Sequence, residues 1–145
     1  MMESLKVFFL VLFFSKTILL TPNPITIYEG ATKLDLIEPI SAITKGAGVF
    51  IDVDSMLAMK ERSNIIKTRN KIGELFPEGF ITVTLSNASG DIQILRYDGS
   101  TMVNKNKAYL GLYGEVPLDT EWTSITINSE MELRDISIIW KNHKK

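Results

Sequence analysis

The stretch Phe80-Ile81-Thr82-Val83-Thr84-Leu85, followed by Ser86-Asn87-Ala88-Ser89-Gly90 and then Asp91-Ile92-Gln93-Ile94-Leu95, decides the fold class. Ile81, Val83 and Leu85 share one face, and Thr82 and Thr84 share the other. That period of two is the signature of a half-buried strand, because successive side chains in extended backbone point to opposite faces. Ile92 and Ile94 point the same way in the next run, and the intervening Asn, Ser and Gly supply hairpin chemistry. The spacing predicts a β-hairpin with Ile81, Val83 and Ile94 in the core.

The same rhythm extends in both directions. Ser124-Ile125-Thr126-Ile127-Asn128 alternates cleanly, as do Ile136, Ile138 and Trp140 against Ser137 and Ile139. Val49, Ile51 and Val53 alternate with Phe50, Asp52 and Asp54, and Leu110 and Leu112 with Tyr109, Gly111 and Tyr113. Ile25–Tyr28 and Lys33–Ile37 are weaker strands. Turn signals at Tyr97-Asp98-Gly99-Ser100, Asn104-Lys105-Asn106 and Pro117-Leu118-Asp119 separate many of these runs. About eight short strands with regular turns predict an all-β protein, an antiparallel β-sandwich. Ile127 and Ile138 join the expected core. One excursion, Ser55–Phe76, breaks the rhythm. Asp54-Ser55 can cap a helix and Pro77-Glu78-Gly79 can end it, so a short helical or irregular segment is expected there.

Composition removes several classes of chemistry. There is no cysteine, and the one histidine is His143. Thiolate nucleophiles, disulfides and multi-histidine metal sites are therefore excluded, and a Ser-His-Asp triad nearly so. The net charge of -1 gives no electrostatic footprint for nucleic acid, and no cofactor-binding motif is present.

The first twenty residues read as an address. Lys6 precedes an unbroken apolar run, Val7–Phe14, in the pattern of a secretory signal peptide. The run is shorter than the about 20 apolar residues of a comfortable membrane span. Ser15 and Thr17 are the best small pair for a cleavage site. The expected organisation is a hydrophobic helix at 1–20 acting as signal peptide or membrane anchor, a spacer at 21–24 marked by Pro22 and Pro24, and a β-domain at 25–145. The protein is then exported: periplasmic, secreted or held at a membrane.

From Gly90 onwards the order of features resembles the closing half of galactose-binding-like jelly rolls. Tyr97-Asp98-Gly99 is followed by the aliphatic strand Ala108–Leu112, then Trp122 leading into Ile125-Thr126-Ile127, then Leu133-Arg134-Asp135-Ile136-Ser137-Ile138. The resemblance covers roughly a third of the chain and implies a non-catalytic jelly roll. It also places Asp135 where that family carries a structural calcium ligand.

Three groups of residues are candidates for function. Asp52 and Asp54, two apart on an expected strand, project from one face, where paired carboxylates can ligate calcium or form an acid–base pair. Tyr97, Tyr113 and Trp122 can stack on sugar rings, with Gly111 and Gly114 letting a partner approach Tyr113. Lys67, Arg69 and Lys71, in a locally basic stretch, can meet an acidic partner or anionic lipid. These features point to a non-enzymatic binding protein, with a protein partner in the cell envelope. A carbohydrate-binding module is the second reading and a small carboxylate-dependent glycosidase the third.

Overall fold

A computed structural model describes residues 17–58, 64–104 and 107–143. These residues form nine strands: β1 (Thr17–Leu19), β2 (Ile25–Ile27), β3 (Gly30–Ser41), β4 (Gly46–Asp52), β5 (Ile81–Ser86), β6 (Ile92–Val103), β7 (Ala108–Tyr113), β8 (Glu121–Ser129) and β9 (Leu133–His143). Two helices, α1 (Asp54–Leu57) and α2 (Ile65–Leu75), fill the excursion between β4 and β5. All strand pairings are antiparallel, so the all-β expectation holds. The strands run in one continuous order, β1-β9-β4-β7-β6-β5-β8-β3, with β2 on the same side of β9 as β1. The sheet curls, and its concave face holds one apolar cluster that includes Val49, Val83, Leu95, Ile127, Ile138 and Trp140.

The hairpin that decides the class forms as β5 and β6, but one face of it is reversed. Val83 pairs with Leu95 on one side and Ile127 on the other, and all three are buried. Ile94 pairs with Thr84 and is 40% exposed, so it lies on the outer face and not in the core. Both phases of β6 carry apolar residues, and the contest is settled further along the strand. Tyr97 shares the phase of Leu95 and packs edge-on against Phe80, with ring centroids 5.7 Å apart. The hydrophobic pattern in that short run was therefore ambiguous, and a one-residue slip in phase reverses every side chain.

The excursion is helical at both ends. Asn64 caps α2, accepting the Lys67 N–H at 3.1 Å, and Thr68 and Ile72 turn its buried side inwards. Phe76 ends the helix and stacks on Phe80 at 5.7 Å. Lys60 and Arg62, part of the basic stretch, lie outside the described residues, as do Met1–Lys16 and with them the expected hydrophobic helix. Thr17–Leu19, within the expected address, is a strand of the sheet, and Thr21, within the expected spacer, is buried. The Leu20 N–H donates to the Ile138 carbonyl at 2.8 Å, and the Ile138 N–H donates to Thr21 Oγ1 at 3.0 Å.

The reversed face of β6 gives a direct test. Leu95→Ala removes buried methyl groups and leaves a cavity, so it should lower stability by about 2–5 kcal/mol. Ile94→Ser should stay within about 0.5 kcal/mol of the parent. Urea unfolding of the two variants reads both, and a larger loss at Ile94 would reverse the assignment.

Candidate functional site

The sheet has two ends, and register fixes which residues meet at each. Gly46 pairs with His143 and Asp52 with Ser137, so β4 carries the chain from one end to the other over about 20 Å. The helices follow Asp52 and sit at one end. Thr17 pairs with Lys141, so the chain enters β1 at the opposite end, where β9 leaves.

At the helix end, Asp52 and Asp54 do not share a strand face. Asp52 closes β4 and Asp54 opens α1, because Val53 turns the chain out of extended backbone at φ -106 and ψ 16. Asp52 is 8% exposed, and both of its oxygens are engaged. Oδ1 accepts the Asp54 N–H at 2.9 Å, and Oδ2 meets Lys107 Nζ at 2.9 Å. The hydrogen bond and charge of Asp52 raise the Lys107 ammonium above its ordinary value. Tyr109, opposite Asp52 in β7, is raised first by burial and then by that carboxylate. Asn104 holds the lysine's backbone, accepting its N–H at 2.8 Å through Oδ1. The pair thus ties the β6–β7 connection to the start of α1. Asp135 is exposed with φ 51, at the point where the β2–β9 register shifts between Ile25 and Ile27. Its carbonyl accepts the Ser55 hydroxyl at 2.9 Å. It is a bulge residue that holds α1 to β9, a role suited to Asp in left-handed backbone. Among the described residues no three His, Asp or Glu side chains gather as a metal cage.

The basic residues are on α2, which packs against β6. Lys67 and Arg69 are exposed and Lys71 half-buried. Lys67 and Lys71 are one turn apart and adjacent, whereas Arg69 flanks the far side of the stripe formed by Thr68 and Ile72. Ile66, 70% exposed, lies beside them.

The aromatic candidates are mostly interior. Trp122 is fully buried, and so is Trp140; neither indole N–H has a hydrogen-bond partner among the described residues. Tyr97 is 2% exposed, and burial raises its hydroxyl ahead of the nearby charges of Glu78 and Asp98. Tyr113 is half-buried. Its ring lies over Gly48 and Gly111, so close that a Cβ on either glycine would stand 3.0–3.2 Å from ring carbons. Phe50 meets it edge-on at 5.6 Å and 88°. The space that Gly111 leaves is therefore filled by Tyr113 itself and is not open to a partner. A Cβ on Gly114 would stand 2.6 Å from the Ile94 carbonyl, so that glycine serves a close backbone approach.

At the opposite end, the two edges of the curled sheet face one another. A cleft of about 150 Å³ is lined by Ile18 and Leu19 of β1 and by Leu36, Ile37 and Glu38 of β3. A second, of about 420 Å³, continues past Pro39, Ile40, Ile43 and Asn142. Pro39 and the register shift between Asp35 and Ile40 interrupt the pairing of β3 with β8 there. Asn142, buried, bridges the gap by accepting the Ile43 N–H at 2.8 Å. Leu19, Ile37 and Ile43 are exposed at 54%, 81% and 41%. Sequence reasoning missed this rim because its strands are non-adjacent in the chain and Ile37 sits next to charged Glu38 with no alternation to mark it. It missed the Asp52–Lys107 pair for the same reason, since 55 residues separate the partners. Comparison of the chain with family models, curated proteins and solved structures gives no match.

Two substitutions test this geometry. Gly48→Ala places a Cβ 2.8 Å from the Leu112 carbonyl and against the Tyr113 ring, so it should cost about 1–3 kcal/mol in thermal or urea unfolding. Lys107→Met removes a pair that is half solvent-exposed on the lysine side, so its cost at neutral pH should be about 1 kcal/mol or less. The sign with pH follows from the raised lysine. The pair's contribution is complete below 10.5, the ordinary value, and disappears as pH rises through the higher folded value. The stability gap between parent and Lys107→Met should therefore close in alkaline buffer; a gap that widens with pH would refute the assignment.

Proposed function

We propose that the protein is a membrane-anchored β-sheet module of the cell envelope that works by contact with a partner and not by catalysis. The observation that carries this reading is the way the chain enters the fold. Thr17, three residues beyond the apolar run Val7–Phe14, is already paired in the sheet, and Thr21 is buried under β9. Cleavage after the Ser15/Thr17 pair would cut into β1. Retention of the segment as an anchor leaves the sheet whole, which favours anchor over removable address.

The spent side chains support contact over chemistry. Asp52 uses both oxygens within the protein, which leaves it out of calcium and acid–base roles in this reading. Fully buried Trp122 and Trp140 and nearly buried Tyr97 offer no flat face to a sugar ring, which weighs against the carbohydrate-binding alternative. The partner surface in this proposal is α2, with Lys67, Lys71 and exposed Ile66, at the end remote from the anchor. Its chemistry suits an acidic protein surface with an apolar centre. The finer description as a jelly-roll-like sandwich draws support from the concave face, where Val49, Val83, Ile127 and Ile138 meet across the curl in one cluster.

Two measurements test the reading. The full chain should stay with membranes through alkaline carbonate extraction, and its mass should include Met1–Lys16; a soluble product beginning after Thr17 would overturn the anchor. Replacing Lys67, Arg69 and Lys71 together with Ser should abolish recovery of a cross-linked envelope partner while leaving membrane retention intact. Unchanged cross-linking would make α2 a bystander.

A further inference from the structure

We infer that β3 is the pairing edge of a symmetric dimer, in which two copies of the chain join antiparallel along residues 31–37 with Leu34 facing its own counterpart. The strand order ends on β3. One flank of the strand is paired to β8, and among the described residues no strand is paired to the other. Burial falls away towards that open flank. Leu85 and Ile125, side by side on the inner face, are fully buried, whereas Leu34, next in the same row, is half-buried. Thr32, beside buried Ile127, is half-buried too, and so is Leu36. The core therefore lacks cover at this edge, although Leu34 and Leu36 both pack against it. A long strand with an unpaired row of backbone N–H and C=O groups is a template for another chain. β1 does not close the gap, because a cleft separates its Ile18 and Leu19 from Leu36 and Ile37.

Charge along β3 selects a second copy as the occupant, and selects one register. Outward and inward side chains alternate without a break over residues 31–37. Ala31, Lys33, Asp35 and Ile37 point outwards, and Thr32, Leu34 and Leu36 inwards. Residues directly opposite in an antiparallel pair share a face, so outward positions of one copy meet outward positions of the other. A twofold axis at Lys33 would oppose two ammonium groups, and one at Asp35 two carboxylates. With the axis at Thr32, Lys33 meets Ala31; with the axis at Leu36, Asp35 meets Ile37. An axis at Leu34 sets Lys33 against Asp35 of the second copy and, by symmetry, Asp35 against its Lys33. Neither side chain has an ion pair among the described residues, and their neighbours on β8 are the neutral Thr126 and Ser124. The same register lays Ile37, 81% exposed, over the small Ala31, and sets Leu34 against Leu34 where the core is open. Glu38 falls opposite Gly30, clear of like charge, and Pro39, which has no N–H to offer, lies beyond the paired segment. Lys33 and Asp35 thus guard the edge against other registers while completing this one.

Charge reversal tests the dimer on the full chain in a nonionic detergent, with mass read by light scattering and folding by circular dichroism. The parent should run at twice the mass of the chain. Lys33→Asp alone and Asp35→Lys alone each create two like-charge contacts, so each should weaken the dimer by at least about tenfold. Mixing the two variants restores both ion pairs and should restore the dimer, as should the double substitution Lys33→Asp with Asp35→Lys. A parent that is monomeric at every concentration would overturn the inference. A dimer indifferent to both reversals would place the contact elsewhere in the chain and overturn it equally. The absence of cysteine permits a second measurement that keeps both charges. Ala31→Cys and Ile37→Cys, mixed and oxidised, should give a cross-linked dimer of the two variants, and neither should cross-link alone. A cross-link formed by either variant alone, or none in the mixture, would overturn the register.

Discussion

Pairing along both edges of β9 is the constraint on which the rest of the structure depends. One edge of β9 takes the whole of β4, from Gly46 opposite His143 to Asp52 opposite Ser137. Its other edge takes β1 and β2 in succession, at Ile139–Lys141 and at Leu133 and Ile136. Leu133, Ile136, Ile138 and Trp140 point from it into the core. Asn142 reaches across to the backbone after β3, and the Asp135 carbonyl holds α1. A single strand thus fixes the entry of the chain, the position of the helices and the approach of the two sheet edges. Backbone groups in such a setting are obligatory hydrogen-bonding partners, and β9 offers its own to β4, β1 and β2.

Burial on both faces of the sheet explains why several functional-looking residues serve the fold. All seven residues of β4 are buried, although only alternate ones face the apolar cluster. The outer side is covered by Tyr113, which lies across Gly48 and Gly111 and meets Phe50. An aromatic ring over two glycines gains contact area only because neither carries a Cβ. The same economy applies to Asp52, a nearly buried carboxylate matched by an adjacent N–H and a lysine. With both oxygens matched inside the protein, this carboxylate serves the fold without any ligand.

Legibility in the sequence followed the range of the interaction. Ile81, Val83 and Leu85 declared β5 through local alternation alone, and Ile125 and Ile127 did the same for β8. The excursion announced itself by losing that alternation, and its helices end before the expected proline; the expected cap does not form, because Asp54 is already the first residue of α1, Val53 precedes it, and no side chain caps that helix. Where two phases were both apolar, as at Ile94 and Leu95, local pattern could not choose; the packing of Tyr97 on Phe80 chose instead. Gly30–Ser41 showed only part of its twelve residues, because an interrupted edge strand with Pro39 needs no regular pattern. Paired carboxylates at Asp52 and Asp54 looked like a site because the sequence shows spacing but not the turn at Val53. Thr17–Leu20 read as the tail of an apolar address, since a strand three residues long has no period to reveal. Its partner, β9, is more than a hundred residues away.

That separation sets an order of events for the nascent chain. β1 and β4 both find partners in β9, and the bond between Ile138 and Thr21 spans 117 residues. Contacts of such sequence separation form late, because a long loop must close before they return any free energy. The early strands therefore emerge from the ribosome with their edges open, and the sheet cannot close until residues 133–143 have been made. A chain that stays open until its last strand is synthesised carries unpaired strand edges through the whole of its synthesis, the interval in which mispairing with other chains competes with closure.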